Sequence, residues 1–501
     1  MIQTNLNGLG YRARMGAVLA GGWLWLGLGQ LAIGAGEVPL PKPNILFILC
    51  DDLGINDLHC YGRADHHTPN LDRLATQGLR FTSAYCAQPI CSPSRAAILT
   101  GQTPARLHLT TYLPGRPDTL AQKVLHPEIE LQVPLSQKML PQYLKAAGYI
   151  CGAFGKWHVG GRGYGPLEHG FDYYHEGKAV TQPSAFEGGK GEYDLTAAAE
   201  GFMETNRHRP FFIYLAHNSP HIPYSAQDGR VQNNAGAFEP VYAGVIETLD
   251  DTVGRLLKKL DSLGLSETTL VIFTSDNGGL HVPEGGHQRV THNTPFRAGK
   301  GFVYEGGLRI PLIVRWPGQV PAGRVVQEPV INTDWVPTLL DLAGLSLPKD
   351  LDGISQAAMI TGRGKAVSRS IFWHFPHYNN QGGRPSGGMR DGKWMMVEYY
   401  DESKSELYDL ESDPGERHDL AAQQSPRVAN MHAALRTWRR SVGAQENSPN
   451  PGYDETKYRE LYLDEDASRF NPPLATPLEW EQIWLWRKKM NAAAAAGLKP
   501  K

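Results

Sequence analysis

Four separated stretches of this chain are apolar at almost every position, have the length of a β-strand, and stop at a polar cluster: residues 43–50, 149–154, 209–216 and 269–275. A strand with one wet face alternates apolar and polar residues. Runs without alternation need cover on both faces, as in the centre of a parallel sheet. The segments between them agree: residues 68–78, 140–148, 247–263 and 334–342 read as helices bounded by proline or glycine, and 309–316 as a further strand. The expected fold is α/β, a large, mostly parallel sheet flanked by helices. In open sheets of this kind ligands bind beyond the carboxyl ends of the strands. There this chain carries Asp51-Asp52, Lys156 and His158, His217 to His221, and Asp276-Asn277.

Each cluster alone has an ordinary reading. Adjacent Asp51 and Asp52 suit a turn or helix cap as well as a hard cation, whose oxygen ligation relieves the repulsion of two carboxylates. Lys156 and His158 stand two apart, on one face of an extended segment, so they are either exposed strand-end residues or a pair directed at an anion. Pro220 and Pro223 hold His221 in a non-helical loop, and His217 competes with it for a site role. Lys300 is flanked by Gly299 and Gly301, which let the backbone approach a ligand closely, although the spacing of a nucleotide-binding Gly-Lys-Ser/Thr loop is missing. Cys91 follows Ile90 and precedes Pro93 and helix-forming residues 96–99. It therefore starts a helix, where backbone N–H groups and the dipole favour an anion, and reads either as a structural thiol or as a site group.

With 501 residues, 55 glycines and 36 prolines, the chain exceeds one minimal domain and is rich in loops. The expected organisation is a signal peptide over 1–36, a catalytic domain over 37–362 and a smaller C-terminal domain over 363–501. The polar stretch 361–365 marks the boundary. Beyond it, 371–375, 389–397 and 406–410 read as strands of a small antiparallel sheet, and 427–442 as a helix. The tail from 477, with Trp480, Trp484 and Trp486, reads as a helix packed on the body.

Arg12 and Arg14, an apolar run over 15–33 and Gly34-Ala35-Gly36 have the layout of an export signal. The protein is then periplasmic or extracellular, with no stable membrane span in the mature chain; an uncleaved membrane anchor is the other reading. A net charge of −2 offers no basic field for nucleic acid. Besides Cys91, the cysteines are Cys50, Cys60, Cys86 and Cys151, which two bridges or four free thiols fit equally.

Taken in order, Asp51-Asp52, Cys91-Ser92-Pro93-Ser94-Arg95 with Ala96-Ala97-Ile98-Leu99-Thr100-Gly101 after it, and Gly155-Lys156-Trp157-His158 are followed by three more motifs. These are Pro220-His221-Ile222-Pro223, Ser275-Asp276-Asn277-Gly278 and Gly299-Lys300-Gly301. The series resembles the type I sulfatases of the alkaline phosphatase-like superfamily over residues 43–320, with a C-terminal match through Asp409 to Pro414. The resemblance implies hydrolysis of sulfate esters, with Cys91 oxidised by a formylglycine-generating enzyme to Cα-formylglycine, so that the nucleophile is an aldehyde hydrate. It implies one calcium ion (Ca2+) on Asp51, Asp52, Asp276, Asn277 and the modified Cys91. Arg95 and the ion then stabilise the hydrate, Lys156 and Lys300 hold sulfate oxygens, and His158 and His221 manage protons. One hydroxyl attacks sulfur, the alcohol leaves with a proton from His221 or Lys300, and the second hydroxyl expels sulfate.

Two other readings stand beside this one. A phosphodiesterase or phosphonate monoester hydrolase of the same superfamily uses the same site, and a second metal there draws on His281, His287 and His292, which we read instead as substrate-loop residues. A non-catalytic carbohydrate-binding relative is the other. Segments 112–116, 162–164, 281–297 and 374–384, rich in His, Arg, Tyr and Asn, are the expected specificity loops, and their polarity points to a sulfated carbohydrate.

Overall fold

The computed structural model describes residues 42–179, 181–287 and 289–498; the signal expected over 1–36 lies outside the described residues. The first apolar run forms β1 (Asn44–Asp51), buried at all eight positions. Its side chains feed two cores in alternation, Ile45, Phe47 and Leu49 joining one and Leu46, Ile48 and Cys50 the other. Both faces of the strand are dry, which is why the run shows no polar alternation.

The remaining strands, in chain order, are β2 (Leu79–Tyr85), β3 (Val124–Leu125), β4 (Ile150–Gly155), β5 (Tyr173–His175), β6 (Phe211–Pro220), β7 (Thr269–Ser275), β8 (Arg309–Arg315), β9 (Arg324–Val326), β10 (Val330–Ile331), β11 (Ile371–Phe375), β12 (Ser386–Asp391), β13 (Trp394–Tyr399), β14 (Lys404–Asp409) and β15 (Ser448–Pro449). A nine-stranded sheet runs β10-β2-β8-β7-β1-β6-β4-β5, with β9 on β2. From β7 to β5 every pair is parallel, whereas β8 opposes both β2 and β7. The sheet is therefore mixed but mostly parallel. Because β1 lies between β6 and β7, their carboxyl ends share one rim, with Asp51 beside Pro220 and Cys50 beside Ser275.

Helices Pro69–Thr76, Glu192–Thr205 and Pro240–Ser262 cover one face through Leu71, Phe202, Val245 and Leu249. Helices Cys91–Thr100, Leu140–Ala146 and Trp335–Leu342 cover the other. The helix read over 247–263 begins earlier, at Pro240, because a first turn tolerates proline's missing N–H.

A separate antiparallel sheet, β11-β12-β13-β14, packs Met389, Met396 and Leu407 against Met431 and Leu435 of helix Ser425–Ser441. Residues 389–397, read as one strand, belong to a hairpin of β12 and β13 that turns at Gly392, with φ 57°. β3 and β15 pair separately. The tail helix Pro477–Ala496 packs on the body as expected, burying Ile483, Trp486 and Met490. All five cysteines are free, so the bridged reading is not realised. Among the described residues no helix is long and apolar enough to cross a membrane.

Several histidines are buried in this framework as neutral rings. Burial pushes His217 and His281 down to about 4, and His374 down to about 3. Their folded pKa values lie below the unfolded value of about 6.5, so the stabilisation they contribute is complete above that pH and is lost as pH falls toward the folded values. The urea midpoint of unfolding should therefore fall steadily from about pH 6.5 to about pH 4.5 with proton uptake on unfolding, and His217→Asn should make the fall shallower. A midpoint unchanged across that range would contradict the assignment.

Candidate active site

Strand geometry alone sends Asp51 and Asp52 to opposite faces of the sheet. The chain avoids this: the β1–β6 register shifts between Leu49 and Asp51, and Asp52 takes a left-handed backbone conformation, φ 67°. Asp52 then meets residues from the end of β7 through both its backbone and its carboxylate. The Asp52 N–H donates to Asp276 Oδ1 at 3.1 Å, and Asn277 Nδ2 donates to Asp52 Oδ1 at 2.8 Å. All four side chains are buried.

Helix Cys91–Thr100 is buried at all ten positions and starts directly from the extended Ile90. Single ligand atoms of Asp51, Asp52 and Cys91 lie within 4.8 Å of one another. Four residues on, along the same helix face, Arg95 has no exposed surface. Its Nε donates to Asp276 Oδ2 at 2.8 Å and its Nη1 to Lys156 O at 3.0 Å, while Nη2 stands 3.4 Å from Asp51 Oδ1.

Lys156 follows Gly155, where a Cβ would lie 2.1 Å from Ala216 O; only glycine lets β4 press so closely on β6. Lys156 Nζ donates to Asp51 Oδ2 at 2.6 Å, and Lys300 Nζ to Asp52 Oδ2 at 2.7 Å. The glycines beside Lys300 admit protein rather than ligand: a Cβ on Gly299 would meet Gly279 O at 2.2 Å, and one on Gly301 would meet Asn379 Oδ1 at 2.7 Å. His221 Nε2 is 3.6 Å from Asp52 Oδ2, and its Nδ1–H donates to Ile222 O at 2.6 Å. His158 is left-handed, φ 58°, with Nε2–H toward Leu113 O at 3.3 Å. It and Lys156 thus reach the site from a turn, not from one face of a strand.

Asp51, Asp52, Cys91, Arg95, Lys156, His158, His221, Asp276, Asn277 and Lys300 are brought together here. His217 is not; it lies within β6, with Nε2 3.4 Å from Thr252 Oγ1 of the covering helix.

The charges are strongly coupled. Burial alone would raise Asp51, but Lys156 and Arg95 hold it well below the carboxylate range. Burial works against the Lys300 ammonium, and Asp52 more than offsets it. Burial, joined by the charges of Asp51 and Asp52, lifts Asp276 above its ordinary range despite Arg95. Burial also pushes the Cys91 thiol up to about 11, outweighing Lys156 and Lys300, so it is not a thiolate at neutral pH.

A cavity of about 690 Å³ opens onto the cluster, lined among others by Asp51, Lys156, His158, Arg162, Lys190 and His221. Of the expected specificity loops, the 162–164 segment contributes through Arg162. The others are largely internal: Arg116, His281, His374 and His377 are buried. His281 and Arg116 bind the backbone, Nε2 of the former meeting Ala467 O at 2.9 Å and Nη1 of the latter donating to Asn379 O at 2.9 Å. Tyr224 N–H donates to His287 Nε2 at 3.1 Å, and His292 packs on Phe238. Tyr174, Glu176, Gly177, Ala179, Lys190 and Asn218 form cavity wall instead, and sequence reasoning missed them. For Lys190 a signal existed, since Gly189-Lys190-Gly191 repeats the Gly-Lys-Gly pattern noted at Lys300.

Buried cations and carboxylates gathered at the carboxyl ends of a mostly parallel sheet define an enzyme for anionic esters. Comparison with known proteins makes the class specific. The sulfatase family model matches residues 43–345, and the model described as N-sulphoglucosamine sulphohydrolase, C-terminal, matches residues 297–441. The chain is 36% identical over 394 residues to dog (Canis lupus familiaris) N-acetylgalactosamine-6-sulfatase, covering 71% of this chain and 73% of the relative. Human (Homo sapiens) arylsulfatase A is 33% identical over 461 residues, covering 78% and 85%. Among solved structures, Ps i-CgsB superposes with a TM-score of 0.69 at 26% identity, covering 90% of this chain and 99% of that one. The PsFucS1 sulfatase from Pseudoalteromonas sp. gives a TM-score of 0.65 at 26% identity, covering 81% and 92%. The chain belongs to the sulfatase family, within the alkaline phosphatase-like superfamily, and is a sulfuric ester hydrolase.

Arg95 offers a test of how the site is held. Removing one partner of a buried ion pair leaves an uncompensated charge and costs roughly 3 kcal/mol, so Arg95→Met should lower the unfolding free energy by about that amount in urea titration. The exposed Arg106–Asp352 pair, 2.7 Å apart, is the control; Arg106→Met should cost less than about 1 kcal/mol. Equal losses in the two variants would show that Arg95 is not the organising contact.

Proposed function

We propose that this enzyme hydrolyses sulfate esters of a sulfated carbohydrate, using Cys91 as the precursor of Cα-formylglycine and a calcium ion held by Asp51, Asp52, Asp276 and Asn277. The observation that carries the reading is the meeting of Cys91, at the start of a wholly buried helix, with Lys156, Lys300, two histidines and three carboxylates. Family membership supports it, because all the residues given a role here lie inside the matched span.

The donor set fits the ion. Asp51 Oδ1 and Asn277 Oδ1 are buried without hydrogen-bond partners, all the donors are hard oxygens, and crowding of three acids resists ionisation of the last. When bound, calcium supplies a fixed positive charge against the sulfate oxygens and the nucleophile. When formed, the Cα-formylglycine hydrate supplies the hydroxyl that attacks sulfur. A thiol with its pKa near 11 is a poor nucleophile at neutral pH, which supports a modified Cys91 over an unmodified one. A formylglycine-generating enzyme is then a required partner in maturation.

The chain's own groups have distinct tasks. Lys156 and Lys300, kept charged by Asp51 and Asp52, hold the sulfate oxygens and stabilise charge as it shifts to the leaving oxygen. Burial holds His158 down to about 3, so the ring stays neutral, and with Nε2–H on Leu113 O its unpartnered Nδ1 offers a hydrogen-bond acceptor rather than a strong base. His221 Nε2 faces Asp52; because Nδ1–H is given to Ile222 O, Nε2 has a proton to pass to the leaving alcohol only in the imidazolium form, a role shared with the Lys300 ammonium.

The substrate class rests on a cavity wide enough for sugar units and edged by polar groups, on a relative named for N-acetylgalactosamine 6-sulfate, and on the complex of Ps i-CgsB with k-i-k-neocarrahexaose. An exported location rests on the apolar run 15–33.

Intact mass should show the Cys91 thiol group replaced by an aldehyde in active protein, and Cys91→Ala should abolish turnover while the fold persists. Chelation should remove activity reversibly, and Asp52→Ala should weaken metal binding. Released sulfate should be measured from sulfated galactans, fucans, ulvans and glycosaminoglycan oligosaccharides alongside small aryl sulfates. Turnover of aryl sulfates with every carbohydrate untouched would overturn the carbohydrate assignment; activity in Cys91→Ala would overturn the mechanism.

A further inference from the structure

Lys190 lines the catalytic cavity yet belongs to none of the tasks above. It is 3% exposed. Its ammonium donates to His221 O at 2.6 Å and to Ile222 O at 3.4 Å, two neutral carbonyls. The carboxylates around it are engaged elsewhere. Asp51 pairs with Lys156 and Asp52 with Lys300. Glu192 accepts the N–H groups of Gly189 and Lys190 at 2.8 and 2.7 Å on Oε2, and the Ser219 hydroxyl on Oε1. Among the described residues no carboxylate lies within ion-pair distance of Lys190 Nζ. A buried ammonium without a counter-ion is costly, since carbonyl dipoles replace only part of its hydration. Burial accordingly lowers its pKa.

The loop that carries this charge is rigidly built. A Cβ on Gly189 would lie 1.7 Å from Ser225 O, so the loop backbone is pressed against the segment bearing His221. Glu192 ties the same loop to the end of β6 through Ser219. The ammonium has a third N–H beyond the two given to carbonyls, and the cavity is the space beside it. Arg162 adds a second cation on that wall, and Glu176 stands exposed at its edge.

We propose that Lys190 recognises a second anionic group of the substrate, a carboxylate or a further sulfate, distinct from the sulfate that is cleaved. The substrate then supplies the counter-ion that the protein withholds, and the enzyme prefers sugars carrying more than one negative charge. This specificity role rests on the carbohydrate sulfatase reading. The charge-assisted contact itself does not depend on it.

Two measurements separate these. The first uses non-hydrolysable probes and reads binding only: benzenesulfonate with one charge, benzene-1,3-disulfonate with a second sulfonate, and 3-sulfobenzoate with a carboxylate. Wild-type protein should bind at least one doubly charged probe about tenfold more tightly than benzenesulfonate, a difference of about 1.4 kcal/mol. Lys190→Gln should bring that preference below about twofold, and Lys190→Arg should keep most of it. Whichever doubly charged probe responds identifies sulfate or carboxylate as the group recognised.

The second compares kcat and KM for N-acetylgalactosamine 6-sulfate, its 4,6-disulfate and a 6-sulfated disaccharide containing a hexuronate. Lys190→Gln should raise KM selectively for the doubly charged sugars. Equal losses for singly and doubly charged ligands would mean that Lys190 only positions His221, and would overturn the proposal. So would an unchanged preference in Lys190→Gln. If the probes behave as expected while no sugar is hydrolysed, the carbohydrate reading fails and the anion contact stands.

Discussion

The site depends on one buried guanidinium. Arg95 reaches the ends of three strands, through Asp51 on β1, Asp276 beyond β7 and the carbonyl of Lys156 beyond β4, while its own helix delivers Cys91. A planar fork of donors suits this task, because it satisfies several acceptors at fixed angles without losing its charge. Lysine at this position would present a single point charge and leave acceptors unmet. Arg95, Lys156 and Lys300 together balance Asp51, Asp52 and Asp276, which allows so dense a cluster to be buried at all.

The sheet makes that contact possible. Parallel β7, β1, β6 and β4 bring their carboxyl ends to one rim, and two cores lock the strands from both faces. Local backbone exceptions then aim the groups. The register shift and left-handed Asp52 turn adjacent acids to one side, Gly155 lets β4 close on β6, and left-handed His158 redirects a ring that an extended chain would point elsewhere.

The sheet and the residues that cluster at its rim were legible in the sequence because both leave local marks. Apolar runs at strand length signal double burial, and Asp51, Cys91, Arg95 and Asp276 sit in short motifs with ordered spacing. What stayed hidden arises from contacts distant along the chain. A polar loop such as 374–384 looks solvent-facing, yet His374 and His377 are inside, their polarity satisfied by Gln445 O and Thr110. The reversed direction of β8 and the hairpin inside 389–397 likewise depend on pairing partners that no single segment encodes. Lys190 had a glycine-flanked signature, but its position over the cavity depends on Glu192 meeting Ser219 across the fold.

His281 follows the Asp276-Asn277 pair by a few residues, and it is held by Ala467, 186 positions later. Pro283 is held by Arg487, 204 positions later. The loop that follows the Asp276-Asn277 pair is therefore fixed by residues far along the chain. The geometry beside the Asp276-Asn277 pair thus answers to changes far along the chain, so a substitution at Ala467 or Arg487 reaches this loop without touching any site residue.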